Sequence, residues 1–429
     1  MMKLPLLRVL NQPAARLLLV TVVLYFLAFE FCRLHYWRDP HSAFFNIDNV
    51  FEWKYSLFRE HEARHYTAVY NAPSDDGLEI TRAQSSPWMC AALATVKRDK
   101  EDYFEASVGS LLSNLDPRER EAMHVSILFA NTDPSQHPSW GQKWVDRLAD
   151  SASSYNVSEK EMDYLKDLEE KRDWQEKGVF DYVYLLNDCL QTDAPYIFVF
   201  EDDVILADGW MIKTLNALHS VSESPPSFID SWLYLRLFYT ETSLSWESSD
   251  FWYRNMPLAF FIVMASGLIT LLLVRRRWVK TRSYIDNWTI ATVCLVVLPA
   301  FTGLFYMAGK YSVFPLEGVV DISPHGCCTQ GMVLPREQVP PLITYLQGRK
   351  RGQTDSIIEE YAEETGLARL ALAPQQMQHV GLRSSRDNLE INTQSTWAFW
   401  FEENDPEQLK KEHEQLLASS DEHWILNGL

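Results

Sequence analysis

The chain has 429 residues, with 58 Asp and Glu against 39 Lys and Arg for a net charge of −19, and 47% of it is hydrophobic. That length admits two or three domains, while the acidic balance excludes a surface for nucleic acid, which needs cations to replace the counterions of phosphate. The hydrophobic residues gather in three long runs, which excludes a wholly soluble chain.

The first run, about Leu17 to Phe31, follows Lys3, Arg8 and Arg16. No small-residue cleavage site follows it, so it reads as an uncleaved signal anchor. Next, Trp88 to Val96 is an apolar strand, and Phe104, Val108, Leu111, Leu112 and Leu115 recur at helical spacing. His124 to Phe129 is a second strand, stopped by Asn131-Thr132-Asp133-Pro134; Ser158 to Lys177 is an exposed helix and Asp181 to Gln191 another. Asn156-Val157-Ser158 is a glycosylation acceptor.

Tyr196 to Phe200 then runs into Glu201-Asp202-Asp203, with Val204 to Leu206 directly behind. Three acids between apolar runs need a partner, and oxygen ligands at a strand end suit magnesium or manganese. Asp208-Gly209-Trp210 opens a helix, and Trp232 to Phe238 alternates, with Leu233, Leu235 and Leu237 on one face. Strands alternating with helices predict an α/β fold with a mainly parallel sheet and ligands at strand carboxyl ends.

Two further apolar runs, about Met256 to Val274 and Trp288 to Ala308, are each close to the ~20 residues that cross hydrocarbon. Between them stands the basic stretch Arg275 to Arg282, which the positive-inside rule places in the cytosol with the amino terminus. Apart from Glu30 the three runs carry no ionisable residue, unlike a transporter or channel. Eight of the 39 Lys and Arg fall in the cytosolic pieces with one of the 58 acids, leaving 31 cations against 57 acids elsewhere. A diphosphate ligand would need a metal at the acidic triplet, or the basic loop Arg349-Lys350-Arg351 between Gly348 and Gly352.

Beyond the hairpin, Val319 to Ile322 and Met332 to Leu334 read as more sheet, too little for a core of its own, so one domain interrupted by two spans is expected. Of six cysteines, Cys90, Cys189, Cys327 and Cys328 are lumenal. Adjacent cysteines lie ~3.8 Å apart at Cα, below the usual disulfide range, which favours bridges from Cys327 and Cys328 to Cys90 and Cys189; a vicinal bond stays open.

FVFEDDVILADGW and WLYLRLFY before the hairpin, and HGCCTQGMVLPRE and PQQMQHVGLRSS behind it, resemble a known group. These are the Golgi enzymes that add N-acetylgalactosamine to the glycan of glycosylphosphatidylinositol (GPI) anchors, three-span proteins whose GT-A glycosyltransferase domain is split by a transmembrane hairpin. The last motif is also similar to the ending of N-acetylglucosaminyltransferase IV enzymes. The resemblance implies a cytosolic tail at 1–16, an anchor at 17–34, a lumenal stem at 35–87, a GT-A domain in two parts at 88–255 and 309–387, spans at 256–274 and 288–308 around a cytosolic loop at 275–287, and a carboxyl-terminal extension at 388–429. It implies Mn2+ or Mg2+ held by Asp203, with Asp202 and His379 as further ligands, and Glu201, Asp202, Thr95 and Arg98 binding the donor UDP-N-acetylgalactosamine. The acceptor would be the glycan of GPI-anchored proteins.

Inverting transfer requires one carboxylate to take the acceptor proton. Asp355, at a helix start just after the Gly348 to Gly352 loop, is the candidate, with Glu241 and Glu247 as rivals. Two alternatives stand: another UDP-sugar transferase, such as an N-acetylglucosaminyltransferase IV-like enzyme, or a membrane adaptor built on a degenerate transferase fold.

Overall fold

The computed structural model describes residues 12–74, 79–98, 101–223, 231–323, 328–381 and 396–420. The chain forms two units, residues 1–51 with 242–315 and residues 52–241 with 316–429.

The first unit holds three helices long and apolar enough to cross a membrane, Pro13–His35, Met256–Arg277 and Asn287–Met307, and the chain is a membrane protein. Their outward side chains, Phe26 and Phe261 among them, stay exposed, as lipid-facing groups should. The first packs on the third through Cys32, Leu304 and Ala308, and Tyr25 meets Phe301 edge-on at 5.5 Å. Polar contacts outside the helices add to this: Ser312 Oγ donates to Asp39 at 2.7 Å, and Lys310 Nζ to Asp250 at 2.8 Å.

The second unit is α/β. Its eight-stranded sheet runs β3-β2-β1-β4-β8-β6-β9-β7, with β1 Met89–Thr95, β2 Met123–Phe129, β3 Ser151–Ser153, β4 Tyr196–Phe200, β6 Trp232–Arg236, β7 Gly318–Asp321, β8 Gly331–Pro335 and β9 Ala368–Ala373; β5 Val204–Leu206 and β10 Met377–His379 form a separate ribbon. β1 pairs parallel to both β2 and β4. β8, from beyond the hairpin, inserts antiparallel between β4 and β6. Neither half of the chain closes this sheet alone. Alternation along each strand divides the core: Ala91, Leu93, Phe198, Phe200 and Val333 face one layer, Cys90, Ala92, Ile197, Val199 and Met332 the other.

Several expectations change. Ser158 to Lys177 is not one helix: Arg172 adopts a left-handed conformation and ends Glu159–Lys171, and Asp173 accepts from Glu176 N to cap a new helix, Trp174–Cys189. In β6 a register shift between Trp232 and Tyr234 sends Leu233 to one layer and Leu235 to the other, so the single leucine face is broken. Part of the expected stem belongs to the globular unit: helix Tyr55–Tyr70 packs on helix Phe104–Leu112 so closely that a Cβ on Gly109 would lie 2.4 Å from Ala63 O. The favoured disulfides are corrected too. Cys90 and Cys189 bond each other, with Cα atoms 5.6 Å apart, because the Trp174–Cys189 helix ends against β1. Cys328 is disulfide-bonded, while Cys327 lies outside the described residues.

Candidate active site

β4 is a central strand, and its carboxyl end delivers Glu201, Asp202 and Asp203 before the chain turns into β5. β5 pairs antiparallel with β10, His379 opposite Val204, and Val380 N donates to Asp203 O at 2.8 Å. That ribbon brings His379 Nε2 to 3.5 Å from Asp203 Oδ2. Ser107 Oγ fixes the turn by donating to Val204 O at 2.7 Å and accepting from Val204 N at 2.9 Å. Gly381 is required here, because a Cβ would stand 1.9 Å from Asp203 Oδ2.

The three acids point different ways. Glu201 accepts from Thr329 Oγ1. Asp202 accepts from Thr95 Oγ1 at 2.7 Å and from Arg98. Asp203 Oδ2 accepts from Arg98 Nη2 at 2.9 Å, whereas Asp203 Oδ1 is buried with no hydrogen-bond partner among the described residues. A buried acceptor left so costs about 1–3 kcal/mol. Burial raises the Asp202 carboxyl above its ordinary range, Arg98 opposing this and Asp203 adding to it. Burial pushes Asp203 the same way, but His379 and Arg98 outweigh it and hold the group well below the usual carboxylate range. Burial lowers His379, yet Asp203 and Glu201 leave its pKa raised on balance.

Glu201, Asp203 and His379 each offer one ligand atom, all within 4.8 Å of one another. Two carboxylates and an imidazole suit a divalent ion of the manganese or magnesium class, and the orphaned Asp203 Oδ1 fits such a role. Asp202 stands apart from this group, committed to Thr95 and Arg98.

The acids open on a cleft of about 440 Å³, also lined by Lys97, Arg98, Trp174, Lys177, Gln330 and Asp355. Asp355 lies in the first turn of helix Thr354–Thr365, half-buried, with its carboxylate accepting from Ser356 N at 2.7 Å. One turn on, Glu359 pins this helix to the sheet by accepting from Tyr234, Arg236 and Arg369. Glu241 is spoken for instead: its two oxygens accept from Gln375 Nε2 and Phe399 N, both at 2.8 Å. Glu247 belongs to the membrane unit.

The basic loop stays outside the cleft lining. Arg349 pairs with Glu360 and Arg351 with Asp173, and the cations that do line the cleft are Lys97, Arg98 and Lys177. Lys177 is almost fully buried, donating to Tyr155 Oη at 2.6 Å and Asp181 Oδ2 at 3.0 Å. Neither Lys177 nor His137, which touches Thr95, carried a readable signal: the first sat in what read as an exposed helix, the second in a loop. Asn156 is exposed, as a glycan acceptor must be. Buried Trp397, Phe399 and Phe401 pack the carboxyl-terminal extension onto the core, and Glu402 accepts from the backbone N of Lys54 and Ser56.

Alpha-1,3-mannosyl-glycoprotein 4-beta-N-acetylglucosaminyltransferase B of Mus musculus is 21% identical over 204 residues, covering 44% of this chain and 35% of that protein. Its Homo sapiens counterpart is 22% identical over 205 residues, with the same coverage. The chain thus spans about a third of the length of these curated relatives. Residues 89–378 match the family described as GPI-N-acetylgalactosamine transferase PGAP4, a stretch that includes Glu201, Asp202, Asp203 and Asp355 and stops one residue short of His379. With well over half of its length matched, the chain belongs to the GPI-N-acetylgalactosamine transferase PGAP4 family.

Proposed function

We propose that this protein transfers N-acetylgalactosamine from UDP-N-acetylgalactosamine, in β linkage, to the first mannose of the GPI glycan on GPI-anchored proteins. Its place would be the Golgi membrane, with the amino terminus cytosolic and the α/β unit lumenal. The observation that carries the reading is the family match over 89–378 falling on a strand-end acidic site in a cleft.

Asp203, Glu201 and His379 would hold the divalent ion, which when bound offsets the charge of the donor diphosphate. Arg98 lies beside the same carboxylates, ready to share its guanidinium with a phosphate oxygen. The half-buried Asp355, which lines the same cleft, would accept the proton of the attacking mannose hydroxyl. The hydroxyl oxygen bonds to the anomeric carbon as the bond from that carbon to the diphosphate oxygen breaks, so UDP leaves with the electron pair and the configuration inverts. Asn156 would carry an N-glycan.

The likeness to N-acetylglucosaminyltransferases favours one second reading, transfer of N-acetylglucosamine to an N-glycan. Donor and acceptor panels separate the two. The expected result is transfer from UDP-N-acetylgalactosamine to a GPI glycan; transfer from UDP-N-acetylglucosamine to an N-glycan would establish the other, and folded protein inert with every donor would point to an adaptor.

A further inference from the structure

His137 lies behind the cleft, buried, with the rings of Phe104 and Phe129 edge-on to it at 5.5 and 5.1 Å. Its Nε2 is 3.0 Å from Thr95 Oγ1, and its Nδ1 accepts from Ser139 N at 3.1 Å. The one proton of the Thr95 hydroxyl is committed to Asp202 Oδ2 at 2.7 Å. In the contact with His137 the hydroxyl must therefore accept, and Nε2 must carry the ring proton. Ser139 demands the same tautomer from the other side, since a proton on Nδ1 would face its N–H. Burial, which lowers the His137 pKa, agrees with a neutral ring.

The bonds accordingly run one way, from Ser139 N–H to His137, from His137 Nε2–H to Thr95, and from Thr95 Oγ1–H to Asp202. The other oxygen of Asp202 accepts from Arg98, whose Nη2 also reaches Asp203 Oδ2 at 2.9 Å. An Asp202 free to turn would release Arg98 onto Asp203, where a guanidinium competes with a metal ion for the same carboxylate.

We propose that His137 is a positioning residue of this site: through Thr95 it holds Asp202, keeps Arg98 shared between Asp202 and Asp203, and leaves Asp203 open to a divalent cation. The inference rests on the metal reading above. Groups bonded directly to metal ligands typically change metal affinity 10–100-fold, and His137, acting at longer range, is expected at the low end of that range.

The test is binding of Mn2+ alone to the detergent-purified full chain, followed by electron paramagnetic resonance, with the thermal midpoint measured alongside. His137→Phe keeps the ring packing and removes the donor; His137→Gln can return an N–H toward Thr95. We expect Mn2+ affinity to fall about tenfold in His137→Phe and to recover in His137→Gln. Should His137→Phe fail to fold, Thr95→Val, expected to be weak, and Thr95→Ser, expected to bind normally, decide the matter. Wild-type affinity in His137→Phe or Thr95→Val, or equal losses in His137→Phe and His137→Gln, would overturn the proposal. A wild-type chain that binds no Mn2+ would remove the metal reading, and this one with it.

Discussion

Asp203 has two oxygens in different circumstances, one bonded to Arg98 and one buried without a partner among the described residues. Gly381 faces it closely enough that Gly381→Ala must displace the carboxylate, since the new Cβ would lie 2.6 Å from Asp203 Cγ. We expect Gly381→Ala to weaken Mn2+ binding about tenfold or more, as changes beside a ligand do, and unchanged Mn2+ affinity would argue against Asp203 as a ligand. Asp355→Asn should act differently, abolishing transfer while leaving UDP and Mn2+ binding intact; lost binding or retained turnover would refute its role as base. The acidic triplet was legible because three charges between two apolar runs have few explanations. His379 was reachable only through the likeness of its surrounding motif, because the β5–β10 pairing that delivers it joins residues more than 170 positions apart. The division of labour within the triplet was not legible, since it depends on side-chain partners, Thr95 and Arg98, supplied by the end of another strand.

At the level of elements, the long buried strands could be read because a central strand covered on both faces is a continuous apolar run, as Met89 to Ala94 is. The break at Arg172 could not: a left-handed residue other than glycine leaves little trace in sequence, and joining the two helices hid the fact that Lys177 and Asp181 share one. The Cys90–Cys189 bridge was missed for a related reason, as it depends on where the Trp174–Cys189 helix ends. The carboxyl-terminal helix Pro406–Ser420 docks through buried His413, whose Nε2 lies 2.9 Å from Glu119 Oε2. Burial lowers the His413 pKa, but Glu119, with Asp208 and Asp116, leaves it raised above the ordinary histidine value. Stabilisation from a raised folded pKa is complete below the unfolded value, about 6.5, and is lost as pH climbs through the folded one. A charge-assisted bond of this kind contributes about 1.5–3 kcal/mol. The thermal midpoint should therefore fall as pH rises above about 6.5, and His413→Gln should shrink that fall; identical pH profiles would contradict the assignment.

For the whole molecule, the notable fact is that the sheet is completed from both sides of the membrane hairpin, β8 sitting between β4 and β6. The α/β unit cannot be finished until the chain beyond the hairpin has been made. If the acceptor is held near a bilayer by its lipid, as proposed, the membrane unit would raise local encounter without any extra contact. A form lacking the spans, provided it folds and binds UDP, should act poorly on membrane-embedded acceptors and less poorly on a detached GPI glycan; equal loss on both would count against this role. The interrupted α/β architecture was legible from the order of strands, helices and spans, whereas the donor sugar was not, because pocket shape leaves no spacing to read. In the proposed reaction Asp203 would anchor a metal-dependent transfer of N-acetylgalactosamine. The most direct test is Mn2+-dependent transfer from UDP-N-acetylgalactosamine to a GPI glycan by detergent-purified protein, run beside Asp203→Ala. Product is expected from wild type and none from the variant, and equal product from both would exclude Asp203 from this role.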